Sequence, residues 1–260
     1  MTSRSRVYNT EVIILRRTDF GEADRLLTVL SPALGKLRVI AKGARKMTSR
    51  KSGHVELFAR VNLLIAKGRN LDILSQVETL DAHRAIREDL AASAAAHYMC
   101  ELSEQFAQEG GEERPLYELL SLMLATLGTA PDSQLLTRYF EMRLMSLGGF
   151  RPQLARCVRS AAPMDLATIA PGQLWGFSPS EGGLLAPDLA KLARDALLIN
   201  TPTLVALRAL QSNTPAEALS LHFTPYLHGQ VERAMRHYLN YILERAPNSR
   251  TFMREMFANL

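Results

Sequence analysis

The chain has 260 residues, 47% hydrophobic and 22% charged, which is the composition of a globular protein that buries a core rather than of a disordered chain. No stretch approaches the roughly 20 apolar residues of a membrane-spanning helix, and the first residues lack a signal peptide's apolar block. Cys100 and Cys157 are too far apart in sequence to suggest a disulfide framework or a metal site by themselves. We therefore expect a cytoplasmic protein with one large domain or two smaller ones.

Positive charge is concentrated in the first 80 residues. This part has 15 basic and 7 acidic residues, whereas the remainder has 16 basic and 19 acidic residues. Such an asymmetry indicates a basic binding module attached to a slightly acidic body. Solvated charge that only keeps the strands soluble would explain the same numbers, so both interpretations stay open at this point.

The first 80 residues also show the pattern of short β-strands. In residues 36–42 the apolar side chains of Leu37, Val39 and Ala41 alternate with basic ones, so one face of this strand is apolar and the other cationic. The predicted strands cover residues 7–17, 25–30, 36–42, 55–66 and 71–80. Five short strands without an intervening helix predict a closed antiparallel barrel, of which the OB-fold is the commonest five-stranded example.

After Asp81 the apolar residues follow helical spacing. Asp132 and Ser133 are typical of a helix start, and the paired glycines at 148 and 149 of a helix end. Residues 150–187, with five prolines, are predicted to be an irregular insertion. The predicted helices cover 90–109, 114–127 and 133–147, resume near residues 188, 203 and 216, and end in a long helix with an apolar stripe that includes Leu227, Val231, Met235, Tyr238 and Ile242. The chain is thus predicted to be an α+β protein, with an OB-fold domain at residues 1–80 and a helical domain at 81–260.

Residues 42–51 form the densest basic segment, with five cations and no acid. Their position between the third and fourth strands predicts a flexible basic loop that follows a phosphate backbone without recognising bases. A solvated hairpin tip without a ligand is the alternative. Because only Tyr8, Phe20 and Phe58 are aromatic in this region, electrostatics should provide most of the affinity. The candidate DNA-binding residues are Lys36, Arg38, Lys42, Arg45, Lys46, Arg50, Lys51, Lys67 and Arg69.

No pattern of catalytic residues stands out. The sequence has no phosphate-binding loop, HExxH, GxSxG or CxxC motif, and its six histidines have no convincing ligand spacing. Neighbouring carboxylates such as Glu112 and Glu113 fit an exposed helix face better than an acid–base pair. We therefore expect a protein that is not an enzyme and that needs no cofactor.

Several segments resemble the RecO family of bacterial recombination mediators. The similarity lies in TEVIILRRTDFGEADRLLTVL at 10–30, GKLRVIAKGARK at 35–46, LGGFRPQLARC at 147–157 and FSPSEGGLL at 177–185. The resemblance implies an OB-fold followed by a helical domain, and a cytoplasmic, nucleoid-associated protein that binds single- and double-stranded DNA and anneals complementary strands. It implies RecR and single-stranded DNA-binding protein as partners, and indirectly RecA, which is loaded onto gapped DNA.

One segment departs from the family pattern. Many relatives have a four-cysteine zinc site, whose positions are occupied here by Cys157, Ser160, Ala186 and Leu189. A single thiolate cannot hold a structural zinc ion, which needs four protein ligands. The degenerate, zinc-finger-like insertion is therefore predicted to fold without metal, with Leu184, Leu185 and Leu189 packing in its place.

Two other functions remain open on the sequence. The chain could be an adaptor whose helical domain docks partners while the barrel attaches to RecR or another protein. It could also be a hydrolase or nuclease, although no group of residues supports that reaction. DNA binding distinguishes the mediator from the adaptor, and metal-dependent cleavage would identify a nuclease.

Overall fold

The computed structural model describes residues 6–49, 51–164, 172–243 and 246–258. The chain divides into two compact units. The first comprises residues 1–129 and 247–260, and the second comprises residues 130–246. Each unit is described by itself. None of the described helices is both long enough and apolar enough to cross a membrane.

A closed five-stranded barrel forms the first part of the first unit, which confirms the predicted α+β, OB-type architecture. The neighbouring order around the barrel is β1-β2-β3-β5-β4, and β1 closes onto β4. The β3–β5 pairing is parallel, and the other strand pairs are antiparallel. The strands are β1 (Val7–Phe20), β2 (Asp24–Ser31), β3 (Gly35–Ala41), β4 (Arg60–Ala66) and β5 (Asp72–Asp81).

A β-bulge in β1 changes which side chains face the barrel interior. Ile14 pairs with Val29, but Arg16 pairs with Thr28, so β1 has one extra residue at Leu15. Ile14 lies in the barrel core. Because an extra residue shifts the alternation of the strand by one, the even-numbered residues after the bulge face outward.

The fourth strand is shorter than predicted. We expected a strand at 55–66, whereas β4 begins at Arg60 and is preceded by a short 3-10 helix at Ser52–His54. Phe58 has a positive φ of 69°, which interrupts extended backbone before the strand starts. Val55 is nevertheless buried in the barrel core and Leu57 packs against it, so the predicted apolar face exists although its first part is a loop.

Four helices complete the first unit: α1 (Arg84–Glu88), α2 (Leu90–Phe106), α3 (Arg114–Leu127) and α9 (Ser249–Ala258). The bounds of α3 agree with the prediction, whereas α2 ends three residues early and α9 was not predicted. The Glu101 carboxylate in α2 accepts hydrogen bonds from the backbone N–H groups of Asn248 and Ser249, at 2.7 and 2.8 Å. A side chain distant in sequence thus satisfies the free donors at the start of α9, and a local pattern cannot show this.

The second unit combines helices with a three-stranded sheet that was not predicted. The Asp132 carboxylate accepts a hydrogen bond from the Leu135 N–H at 2.8 Å, which confirms the predicted helix start. The order of the sheet is β7-β6-β8. Its strands are β6 (Leu174–Ser178), β7 (Gly183–Leu185) and β8 (Leu197–Asn200), and the helices are α4 (Ser133–Leu147), α5 (Pro187–Ala190), α6 (Thr201–Ser212), α7 (Pro215–Leu219) and α8 (Pro225–Ile242).

These strands are short and interrupted by Gly176, Gly182 and Gly183, which is why the segment looked irregular in the sequence. Residues 165–171 of the predicted insertion lie outside the described residues. The predicted domain boundary at 80/81 stays a prediction. The compact units divide after Thr129, because α1, α2 and α3 group with the barrel.

Candidate nucleic-acid interface

The outer face of β1, β2 and β3 presents side chains in rows across the three strands. Antiparallel partners point to the same side of a sheet, so residues in register form each row. One row is polar and cationic, and the next is apolar and partly exposed. The rows are Arg16–Thr28–Arg38 and Thr18–Leu26–Ile40, and Phe20 lies opposite Asp24 at the end of the hairpin.

Three cations lie along β3 and the segment that follows it. Arg38 and Lys42 are exposed and separated by four residues, or about 13 Å along an extended strand. Lys46 is exposed a little further along the β3–β4 loop. In the part of the chain that the structure describes, these three side chains form no ion pair or hydrogen bond, so their charges are free to neutralise phosphates.

Arg45, by contrast, ties the loop to the β1–β2 turn. Its guanidinium lies 3.4 Å from the Asp19 carboxylate and donates to the carbonyl oxygens of Gly21 and Glu22. The Arg45 N–H donates to the carbonyl oxygen of Ala23 at 2.9 Å. The described part of the basic loop is therefore anchored beside the hairpin rather than attached only at its two ends.

Two other predicted residues are also used inside the protein. The Lys36 ammonium donates to the Glu104 carbonyl oxygen at 2.9 Å, and the Lys51 ammonium donates to the Leu74 carbonyl oxygen at 2.7 Å. Both are partly buried. These contacts fix the loop and the barrel, so neither ammonium is as available to a ligand as Arg38 or Lys42.

The remaining predicted cations lie at the β4–β5 turn. The Lys67 ammonium lies 5.9 Å from the centroid of the Tyr8 ring, a cation–π contact, and Arg69 is exposed. This turn lies beside β3, because Asp72 pairs with Val39. Arg50 lies outside the described residues.

Sequence reasoning missed the apolar part of this surface. Leu26 and Ile40 are half-buried on the outer face, and Phe20 is 44% exposed. Uninterrupted alternation from Ile14 would point Phe20 into the barrel, and only the bulge at Leu15 turns it outward. Its position next to a turn glycine, Gly21, was the signal that could have identified it.

The degenerate zinc-site segment in the second unit is hydrogen-bonded. The Ala186 N–H donates to the Cys157 Sγ at 3.4 Å. Burial acts to raise the pKa of the Cys157 thiol, but hydrogen bonds from Ser160, Ala186 and Arg159 outweigh it and hold the pKa below its ordinary value. Leu184 and Leu185 are fully buried. Across the described residues, no three His, Cys, Asp or Glu side chains come together as metal ligands.

The barrel and the helices after it define an α+β protein of the OB-fold class, a fold whose strand 2–3 face binds oligonucleotides in many proteins. Two family models match the chain: the recombination protein O N-terminal domain over residues 5–83 and the recombination protein O C-terminal domain over residues 87–251. The chain therefore belongs to the RecO family.

Relatives agree with this assignment. The chain is 41% identical over 250 residues to a DNA repair protein RecO from Roseiflexus sp. (strain RS-1), which covers 96% of this chain and 86% of the relative. It is 39% identical to the protein of that name from Synechococcus elongatus, with 93% and 92% covered, and 32% identical to that from Dehalococcoides mccartyi, with 93% of both covered.

Proposed function

We propose that this chain is a non-catalytic mediator of DNA repair and recombination that binds single- and double-stranded DNA and anneals complementary strands. Its proposed partners are RecR and single-stranded DNA-binding protein, and through them it helps RecA load onto coated DNA. Membership of the RecO family supports the role in repair and recombination. The relatives named above are DNA repair proteins.

The observation that best supports DNA binding is the set of free cations on the outer face of the barrel. Arg38, Lys42 and Lys46 are exposed and have no acidic neighbour in contact among the described residues. Cations that bind phosphates release condensed counterions, which favours binding at low salt. They also lower the repulsion between two strands held on one surface, so complementary bases can meet.

The cationic surface should bind with little sequence preference. Guanidinium and ammonium groups contact phosphates, which are the same in every sequence. Tyr8 donates its hydroxyl to Asp72 at 2.6 Å and Phe58 is buried, so neither provides a stacking platform for successive bases. Base pairing between the two strands then supplies the specificity of annealing.

The test is fluorescence-anisotropy binding of a short single-stranded DNA across a salt series. The triple variant Arg38→Glu, Lys42→Glu, Lys46→Glu should bind more weakly, and its slope of log K against log salt should be shallower by about 2, because each phosphate contact contributes about 0.7. Its annealing of complementary strands should slow in parallel.

The matched control reverses three exposed cations of the second unit: Lys191→Glu, Arg194→Glu and Arg233→Glu. This variant has the same net charge but retains the barrel surface, so its slope should stay close to that of the wild type. Equal losses in the two variants would reduce the effect to net charge. Negligible DNA binding by the wild type, with normal binding to RecR, would support the adaptor instead.

A further inference from the structure

We propose that Phe20 stacks on an unpaired base of single-stranded DNA and that Leu26 and Ile40 form the apolar surface beside it. This inference rests on the proposed DNA binding and deepens it, because it adds a base contact to a surface otherwise expected to contact phosphates. It concerns one base-binding position rather than a platform for a whole strand.

Phe20 is the exposed aromatic residue among the described residues of the barrel strands. It is 44% exposed at the end of β1, whereas the Tyr8 ring is partly buried beneath Lys67 and Phe58 is 2% exposed. The bulge at Leu15 places Phe20 on the outer face, opposite Asp24. Gly21 follows with a φ of +58°, so the chain turns at once and leaves the ring at the edge of the sheet.

The hairpin that carries Phe20 is joined to the basic loop. The Gly43 N–H donates to the Asp24 carboxylate at 2.8 Å, and the Arg45 N–H donates to the Ala23 carbonyl oxygen at 2.9 Å. These bonds hold the ring and the loop cations in one place before any ligand binds. A preordered aromatic side chain loses little conformational freedom on binding, so more of the stacking energy contributes to affinity.

The surface next to Phe20 suits a nucleotide chain. Leu26 and Ile40 are in register on the outer face and half-buried. On β3, Ile40 lies between Arg38 and Lys42, two residues from each, or about 7 Å along the strand. Phosphates on these two cations would place a base above Ile40 and Leu26, towards Phe20. Asp19, the acidic residue nearest the ring in sequence, is close to the cationic groups of Arg25 and Arg45.

Only an unpaired base has faces free for such a contact, because the bases of a duplex already stack on each other. Phe20 should therefore strengthen binding to single strands more than binding to duplexes. During annealing, it would hold a base out of the strand's own stack, next to the cations that attract the second strand.

The experiment compares Phe20→Ala, Phe20→Leu and Phe20→Trp with the control Phe252→Ala, in which an exposed Phe of α9 is removed; Phe252 is 40% exposed. Each full-length variant is titrated into a single-stranded oligonucleotide and its duplex over a salt series. Phe20→Ala and Phe20→Leu should bind the single strand about 10-fold more weakly with an unchanged salt slope, since stacking releases no counterions. Phe20→Trp should bind like the wild type, and its added tryptophan fluorescence should be quenched by the single strand.

Unchanged single-strand affinity in Phe20→Ala, or equal losses for single strand and duplex, would overturn the stacking proposal. So would a loss in Phe252→Ala as large as that in Phe20→Ala. If Phe20→Ala failed to fold, Phe20→Leu, which keeps an apolar side chain, would decide. A wild type with salt-dependent DNA binding and an unaffected Phe20→Ala would reject the stacking alone, whereas a wild type without DNA binding would reject the proposed function as well.

Discussion

The Lys36 ammonium donates a hydrogen bond of 2.9 Å to the backbone carbonyl oxygen of Glu104, in the last turn of α2. The carbonyl groups at the C-terminal end of a helix lack partners within the helix and have a partial negative charge. One cation of β3 therefore connects the barrel to α2, while Arg38, two residues further along the same face, is exposed.

Lys36 should consequently contribute to stability more than to DNA binding. Lys36→Met retains the aliphatic chain but removes the donor, and it should lower the free energy of unfolding by about 1 kcal/mol. Lys42→Met, at an exposed position, should change it by less than about 0.5 kcal/mol but weaken single-stranded DNA binding more. Urea denaturation and anisotropy titrations measure the two quantities. The opposite order in both would place Lys36 in the DNA interface.

A buried ion pair in α4 predicts a larger loss of stability. The Arg138 guanidinium lies 2.9 Å from the Glu141 carboxylate, and their side chains are 4% and 0% exposed. Glu141→Gln removes one charge and leaves the other buried, so it should lower the free energy of unfolding by about 3 kcal/mol. Glu232→Gln, which breaks the more exposed pair with Arg236, should cost about 0.5 kcal/mol.

The double variant Arg138→Met, Glu141→Leu separates the charge effect from packing. It removes both charges and keeps most of the volume, so it should be more stable than Glu141→Gln. Chemical denaturation of the four variants is the measurement. A double variant less stable than Glu141→Gln would show that side-chain packing, rather than the unpaired charge, causes the loss.

The histidine in α2 that contacts the barrel predicts a pH dependence of stability. The His97 ring meets Phe58 edge-on, with centroids 4.8 Å apart. Burial, and then the charge of Arg17, lower the pKa of His97 below its ordinary value. Below about pH 6.5 the unfolded chain therefore binds a proton that the folded protein resists. Stability should fall as the pH drops from 7.5 to 5.5.

The variant His97→Gln should show a shallower fall in unfolding free energy over this range, because the titrating group is gone. His222→Gln, at an exposed position, should follow the wild-type curve. Urea midpoints at several pH values provide the comparison. Identical slopes for the wild type and His97→Gln would contradict the assigned cause.

The segment around Cys157 is predicted to need no metal. Its thiol accepts a hydrogen bond from the Ala186 N–H, and Leu184 beside it is fully buried. Protein purified without chelator should contain much less than one zinc ion per chain by mass spectrometry of the metal, and EDTA should leave the melting temperature unchanged. Leu184→Ala should lower the free energy of unfolding by about 3 kcal/mol. Stoichiometric zinc that stabilises the protein would refute the prediction.

Local patterning was enough to predict most of the secondary structure. Alternation identified the barrel strands, and helical spacing with a cap at Asp132 predicted the bounds of α3 and α4. These features depend on neighbours a few residues apart, so the sequence contains the whole signal. The concentration of cations in the first 80 residues likewise needs no tertiary information.

Which of those cations remain free was decided only by the tertiary structure. Lys36, Arg45 and Lys51 contact backbone groups 23 to 68 residues away, whereas Arg38 and Lys42 contact none among the described residues. The outward position of Phe20 depends on the bulge at Leu15, and the start of α9 depends on Glu101, 148 residues from Ser249. Sequence alone therefore determined the fold class and the cationic module, while the surface that a ligand can reach followed from long-range contacts, whose partners no local pattern specifies.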